Sequence, residues 1–187
     1  MKTTSILSGL ATATLLAACG DSSVESPHDD HEHESITTVE LTLVNKAIAS
    51  DSFTLRFVDA DGAGGAAPTL PSIGRLKTGA TYDARVRFLD QSNPADVHDL
   101  NEEIGGSESD DHRVFWTTGS RLSATIVDKD SKGLPLGLEA TVATLSAGTD
   151  TLRINLRHLP GIKTASSRIT DGETDAEVAF PFEIAAP

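Results

Sequence analysis

LKTGATYDARVRF, residues 76–88, is the stretch whose reading decides the fold. Ala84, Val86 and Phe88 alternate with Asp83, Arg85 and Arg87, the two-residue period of a strand with one face in a core and one in water. Ahead of them Leu76, Gly79, Thr81 and Tyr82 mark a corner through which the chain enters that strand.

The same period recurs on both sides. Val39, Leu41 and Leu43 alternate with Thr38, Glu40 and Thr42, and Phe53, Leu55 and Phe57 alternate with Thr54 and Arg56, so residues 45–51 join an antiparallel pair. An Asp- and Gly-rich exit follows at residues 59–65. Downstream, residues 113–118, the pair Gly119-Ser120 and residues 121–128 read as a hairpin with a two-residue turn. Leu152, Ile154 and Leu156 form a further strand, and Val178, Phe180, Phe182 and Ile184 the last, placed at an edge because Pro181 has no N–H for a ladder. Val58, Asp59, Asp61, Gly64, Leu76 and Gly79 meet Val127, Asp128, Asp130, Gly133, Leu145 and Gly148 at a constant offset of 69, which drops to 68 for Arg85, Val86 and Phe88 against Arg153, Ile154 and Leu156. That is a weak internal duplication.

Between the two halves lies an acidic segment, residues 93–116. Asn93 as N-cap, Pro94 as first residue and Asp96 near the positive end predict a helix, with Val97, Leu100 and Ile104 on its docking face and Gly105-Gly106 ending it. The expected fold is all-β, a single antiparallel β-sandwich over residues 36–187 with one short helix in the central connection. The corner before Ala84 resembles that of immunoglobulin-type and fibronectin-type sandwiches.

The N-terminus reads separately. Lys2, an apolar run over residues 6–18 and then Cys19 predict a secretory signal over residues 1–18, the run being too short to span a membrane. The ending Leu16-Ala17-Ala18-Cys19 resembles a bacterial lipobox, which implies lipidation of Cys19 and a membrane anchor. An ordinary signal with a chance cysteine is the other reading. Cys19 is the single cysteine, so no disulfide forms within the chain and no thiolate cluster is available. Residues 19–35, rich in Ser, Asp, His and Glu, read as a disordered tether. The formal charge of −13 excludes nucleic acid as a partner.

Candidate chemistry falls at three places. In the tether, His28, His31 and His33 interleave with carboxylates, a composition that suits a divalent transition metal such as zinc, or else a hydrated linker. In the central segment His98 and Glu102 stand one helical turn apart and Asp111-His112 precede a strand, so their convergence would give an N/O metal site; a solvated acidic helix is the plain alternative. Asp90 and His158 coincide under the 68 offset, which makes His158 a further candidate ligand. Asp59-x-Asp61 and Asp128-x-Asp130 lack the remaining oxygens of a calcium loop and read as Asx turns. There is no G-x-S-x-G, no H-E-x-x-H and no phosphate-binding glycine loop, and the reading is non-enzymatic.

Taken in order, residues 36–39, the 57–65 exit, residues 88–95, Asp111-His112 before Val114-Phe115-Trp116, residues 128–138, Leu156-Arg157-His158 and Gly172-Glu173-Thr174-Asp175 resemble a family of small bacterial lipoproteins, some labelled "type 1 periplasmic binding fold superfamily protein". That label names an α/β fold of much longer chains, and the strand pattern is followed here instead. The resemblance implies an outer-membrane lipoprotein, periplasmic or surface-facing, associated with TonB-dependent receptors. Two functions are expected on these grounds. One is capture of a divalent transition metal or its complex for such a receptor, with His112 as principal ligand, Asp111, His98, Glu102 and His158 around it and the tether histidines as a capture arm. The other is an interaction lipoprotein whose acidic sandwich contacts a receptor or another envelope protein without a small ligand.

Overall fold

The computed structural model describes residues 35–62 and 65–186. The signal segment, Cys19 and the tether histidines His28, His31 and His33 lie outside the described residues. The elements are β1 (Thr38–Asn45), β2 (Ser52–Val58), β3 (Gly74–Lys77), β4 (Thr81–Asp90), β5 (His98–Asp99), α1 (Asn101–Ile104), β6 (His112–Thr118), β7 (Leu122–Ile126), β8 (Glu139–Thr144), β9 (Gly148–His158) and β10 (Glu173–Ala185).

They form two sheets. The first has the order β2-β1-β4-β8-β7, with β5 beside the end of β4, and is antiparallel throughout. The second has the order β3-β10-β9-β6 and is mixed, because β3 runs parallel to β10. The expectation of a wholly antiparallel sandwich is corrected at that pair. The chain leaving β2 crosses to the second sheet as β3 before returning as β4, and β3 lies on the flank of β10 opposite β9.

Alternation sorts each strand as the sequence pattern predicts. Val39, Leu41, Leu43, Leu55, Ala84, Val86 and Phe88 from the first sheet are buried, as are Leu152, Ile154, Leu156, Val178, Phe180, Phe182 and Ile184 from the second. All of them belong to a single hydrophobic cluster, with Phe53 and Phe57 partly buried against it. The strands that the 68 offset aligns, β4 and β9, are interior strands of opposite sheets.

The corner joins the layers. Tyr82 is fully buried, and its hydroxyl accepts the Lys77 N–H at 3.0 Å. Thr144 on β8 donates its hydroxyl to Lys77 O at 2.7 Å and accepts the Ala80 N–H at 2.9 Å. Gly79 turns the chain at φ +71°, a conformation that a side chain would strain. The polar groups exposed by the crossing are thereby bonded inside the fold rather than to water.

Three expectations change. The pair β6 and β7 is not a hairpin: β6 lies in the second sheet and β7 in the first. Asp150, from β9, accepts the N–H groups of Arg121 and Leu122 at 2.8 and 2.9 Å and so turns the chain across the gap. The helix begins at Asn101, not after Asn93. Asn93 instead closes a local turn, its side chain accepting the Ala95 N–H and its carbonyl the Asp96 N–H. His98 and Asp99 then pair with Asp90 and Leu89, and the Asn101 side chain bonds both Phe88 N–H and Val86 O, both at 2.8 Å. The open flank of β4 outcompetes local helix propensity, and of the predicted docking face Leu100 and Ile104 are buried while Val97 is exposed. Finally, β10 has a partner on the β3 side only from Phe182 onward, so the edge expected at Pro181 is real up to that residue and fails beyond it.

Tyr82→Phe leaves the Lys77 N–H buried without its acceptor. The expected cost is about 1–2 kcal/mol of unfolding free energy, read as a lower urea midpoint with an unchanged slope.

Candidate functional site

Three loops, residues 105–111, 127–138 and 159–172, meet at one end of the sandwich beside the start of β6. His112 opens β6 directly opposite His158, near the end of β9. The register makes them a cross-strand pair, and their rings stack with centroids 4.7 Å apart and planes 12° from parallel. His112 is buried; its Nδ1 lies 3.2 Å from Glu108 O and 3.6 Å from Glu108 Oε2, and its Nε2 lies 3.6 Å from Asp175 Oδ2. Burial pushes the imidazole pKa down, more than the Glu108 carbonyl and the Asp175 carboxylate push it up, and the stacked His158 adds to the lowering. His112 is therefore neutral near pH 7, with Nδ1–H directed to the Glu108 carbonyl and the Nε2 lone pair toward Asp175.

Beside this pair, Lys163 and Asp130 form a fully buried ion pair, Nζ to Oδ2 2.7 Å, with side chains 1% and 0% exposed. Lys163 also donates to Ser109 O at 2.6 Å, and Asp130 Oδ1 accepts the N–H groups of Lys132 and Leu134 at 3.0 and 2.7 Å. Burial alone would raise the Asp130 pKa; Lys163 and the two backbone donors outweigh it and hold the carboxyl below its ordinary range. One pair thus ties all three loops together. Arg113 adds a contact to Ser167 O at 3.1 Å, and Arg157 bonds Asp171 O at 2.9 Å, Gly172 O and Thr174 Oγ1.

The candidates chosen from the sequence separate. His112 and His158 come together. Asp111 does not turn to them: its Oδ1 accepts the Gly161 N–H at 3.1 Å and its carbonyl the Leu159 N–H at 2.6 Å. His98 lies exposed on β5 with Nε2 3.6 Å from Glu103, not Glu102, because the helix starts three residues after it. Asp90 accepts the Ser92 N–H at 2.8 Å and opposes His98. Among the described residues no group of three or more His, Cys, Asp or Glu is arranged to hold a metal ion. The aspartates at the strand exits serve as backbone acceptors, Asp128 for Gly137 and Leu138 at 2.9 and 2.8 Å, and Asp61 for Ala66 at 2.8 Å. Sequence reasoning missed Glu108, Asp175, Asp130 and Lys163 as parts of this corner. Their convergence depends on long-range register, which no local spacing encodes.

No family model and no curated relative matches the chain. Among solved structures, domains 4 and 5 of the S-layer protein SbsC are similar at 13% identity and a TM-score of 0.29, with 71% of this chain aligned to 65% of that one. The chain thus spans about two thirds of that structure's length.

Two outcomes follow from the corner. Lys163→Met strands Asp130 as a buried charge, and a loss of about 3–5 kcal/mol in denaturant unfolding is expected. The pH dependence has two limbs. Below about pH 6.5 an unfolded histidine takes up a proton that folded His112 resists, so stability falls until the pH passes its lowered folded pKa. Asp130 contributes stability above the ordinary carboxylate pKa, and this is lost as the pH drops through its own lower value. His112→Gln should flatten the first limb of the urea midpoint and leave the acid limb in place.

Proposed function

We propose that the chain is a lipid-anchored, non-enzymatic binding lipoprotein of the cell envelope, held on the outer membrane through Cys19. It works by contact with an envelope protein, a TonB-dependent receptor being the partner the family resemblance points to. The sandwich is of immunoglobulin or fibronectin type, a reading supported by the buried Tyr82 hydroxyl on the Lys77 N–H. One observation carries the functional reading: the aspartates at the strand exits and loops are engaged within the fold. Asp111, Asp128, Asp130 and Asp150 each accept backbone N–H groups. What such a fold offers a partner is its surface. No helix of the described residues is long and apolar enough to cross a membrane.

The second reading, capture of zinc or another divalent transition metal, is supported by the His112–His158 stack. With Nδ1–H on the Glu108 carbonyl, Nε2 lies 3.6 Å from the Asp175 carboxylate, an imidazole nitrogen beside a carboxylate oxygen being the donor types a transition metal takes. His28, His31 and His33 would then act as a delivery arm.

Zinc titration of protein purified without an affinity tag, alongside His112→Ala and a variant lacking residues 20–35, separates the two. The interaction reading expects no site that depends on His112, with any weak uptake lost along with residues 20–35. Micromolar binding abolished by His112→Ala would replace it with the metal reading. Cys19→Ala should move the protein from the membrane to the soluble fraction.

A further inference from the structure

We propose that the free edge of β7 is a docking strand for an acidic, extended segment of a partner protein. This rests on the interaction reading above and assigns it a surface.

The register defines which backbone groups are free. Leu145 N–H bonds Arg121 O, and Val127 N–H bonds Glu139 O, so residues 121, 123, 125 and 127 face β8. Residues 122, 124 and 126 face away from it. Leu122 is satisfied by Asp150 and by the Thr118 hydroxyl. Ala124 and Ile126 therefore present their N–H and C=O groups at an edge where, among the described residues, β7 has no partner other than β8. That edge has no charged residue and no proline, the usual protections against strand addition. The opposite edge of the same sheet is protected: Val58 on β2 is bridged in both directions by Thr69, and Arg56 is fixed to Glu40 at 2.9 Å.

Beside the free edge lies a cleft of about 220 Å³ lined by Trp116, Ala124, Ile126, Val127 and Pro135 together with the charged Arg113, Asp128 and Lys129. Ala124 and Ile126 point between the sheets yet stay half-buried, because β6 is the last strand of the facing sheet. Trp116 is fixed over this gap by its Nε1–H on Gly137 O at 2.7 Å. An added strand would thus find main-chain partners at Ala124 and Ile126 and an apolar slot for its inward side chains.

Charge selects the occupant. Lys46, Arg56, Arg75, Lys77, Arg85 and Arg87, all the cations of residues 35–90, lie within 4.0 Å of carboxylates. Arg121 and Lys129, which bracket β7, have no carboxylate of the described residues within 4.0 Å. The nearby Asp128 and Asp150 are held by backbone N–H groups. Among the described residues Arg113, Arg153 and Arg157 likewise lack a carboxylate within 4.0 Å, and Arg113 lines the cleft with Lys129, so three cations, Arg113, Arg121 and Lys129, stand about the open strand, with Asp128 as the one carboxylate lining the cleft. Screening over about 8–10 Å lets these local charges, rather than the net charge, decide what docks. Acidic residues flanking a β-capable core fit them.

The probe is a short synthetic peptide of alternating valine and threonine with glutamates at both ends, and its twin with lysines there. Trp116 is the only tryptophan, so its fluorescence reports occupancy of the cleft directly. The expected result is saturable binding of the acidic peptide, at least about tenfold weaker for the lysine twin and at high salt, with exchange protection of the Ala124 and Ile126 amides. Ala124→Pro removes an outward N–H without touching the β8 ladder and should abolish binding while the thermal transition stays near that of the parent. Arg121→Glu with Lys129→Glu, which leaves the backbone alone, should reverse the preference between the two peptides. Equal binding of both peptides, binding that survives Ala124→Pro, or no binding at low salt would overturn the proposal. Binding seen only after residues 20–35 are deleted would also overturn it, since the acidic occupant would then be this chain's own segment. A protein that ignores the peptide yet crosslinks to an envelope protein through another face loses this edge and keeps the interaction reading.

Discussion

Every crossing between two packed sheets takes backbone N–H and C=O groups out of their ladders and into a place water does not reach, and each such group must find a partner inside the fold. In this protein the partners are long-range side chains. Tyr82 receives Lys77 at the β3–β4 corner, Asp150 receives Arg121 and Leu122 between β6 and β7, and Asn101 completes the edge of β4 where neither β5 nor β8 reaches. Arg157 does the converse, donating to the carbonyls of residues 171 and 172. The strands supply the hydrophobic energy, but these bonds decide which strand goes to which sheet.

The acidity of the chain acquires a structural sense in this light. A carboxylate can accept two or more N–H groups at once, so an aspartate at a strand exit closes a loop that a neutral residue would leave open. Asp128 and Asp130 do this in the same loop, for four N–H groups between them. Asp130 is the costlier of the two because it is buried with Lys163, and its charge is tolerated because donors surround it. The stacked histidines lie alongside this network. His112 lies there as a buried ring whose pKa burial lowers, so the fold holds it in its neutral form.

Much of the fold was legible in the sequence, because alternation is a local property. The inward faces of β1, β4, β9 and β10 follow from residues two apart, and the Tyr82 corner from residues within one turn. What was hidden depends on partners far along the chain. Nothing near Gly119-Ser120 announces that Asp150 will turn the chain between sheets rather than close a hairpin. Asn93-Pro94 carries a sound helix start and makes a turn, because the unpaired flank of β4 captures His98 and Asp99 first. Of the candidate site, only the meeting of His112 and His158 was within reach, since both stand at strand ends. Asp175 and Glu108 join them through register and a loop, and Asp111, adjacent in sequence to His112, faces the other way.

The offset that suggests a weak duplication does not carry over to the two flanks of the sandwich, which differ. Under the offset, β4 and β9 occupy interior positions of opposite sheets, and β2 corresponds to β7. Their surroundings diverge after that. The crossover following β2 returns to bridge Val58 through Thr69 before entering the second sheet, whereas the chain after β7 folds into the Asp128 and Asp130 loop and returns as β8 on the inner side. One outer strand is consequently bridged at its last residue by its own continuation and the other is left bare. The cations of residues 35–90 all have carboxylate partners, whereas Arg121 and Lys129 beside the bare strand have none among the described residues, and neither have Arg113, Arg153 and Arg157. A bare edge and cations without carboxylate partners at both its ends, Arg121 and Lys129, meet at the β7 flank, and the docking proposed there rests on that meeting of geometry and charge.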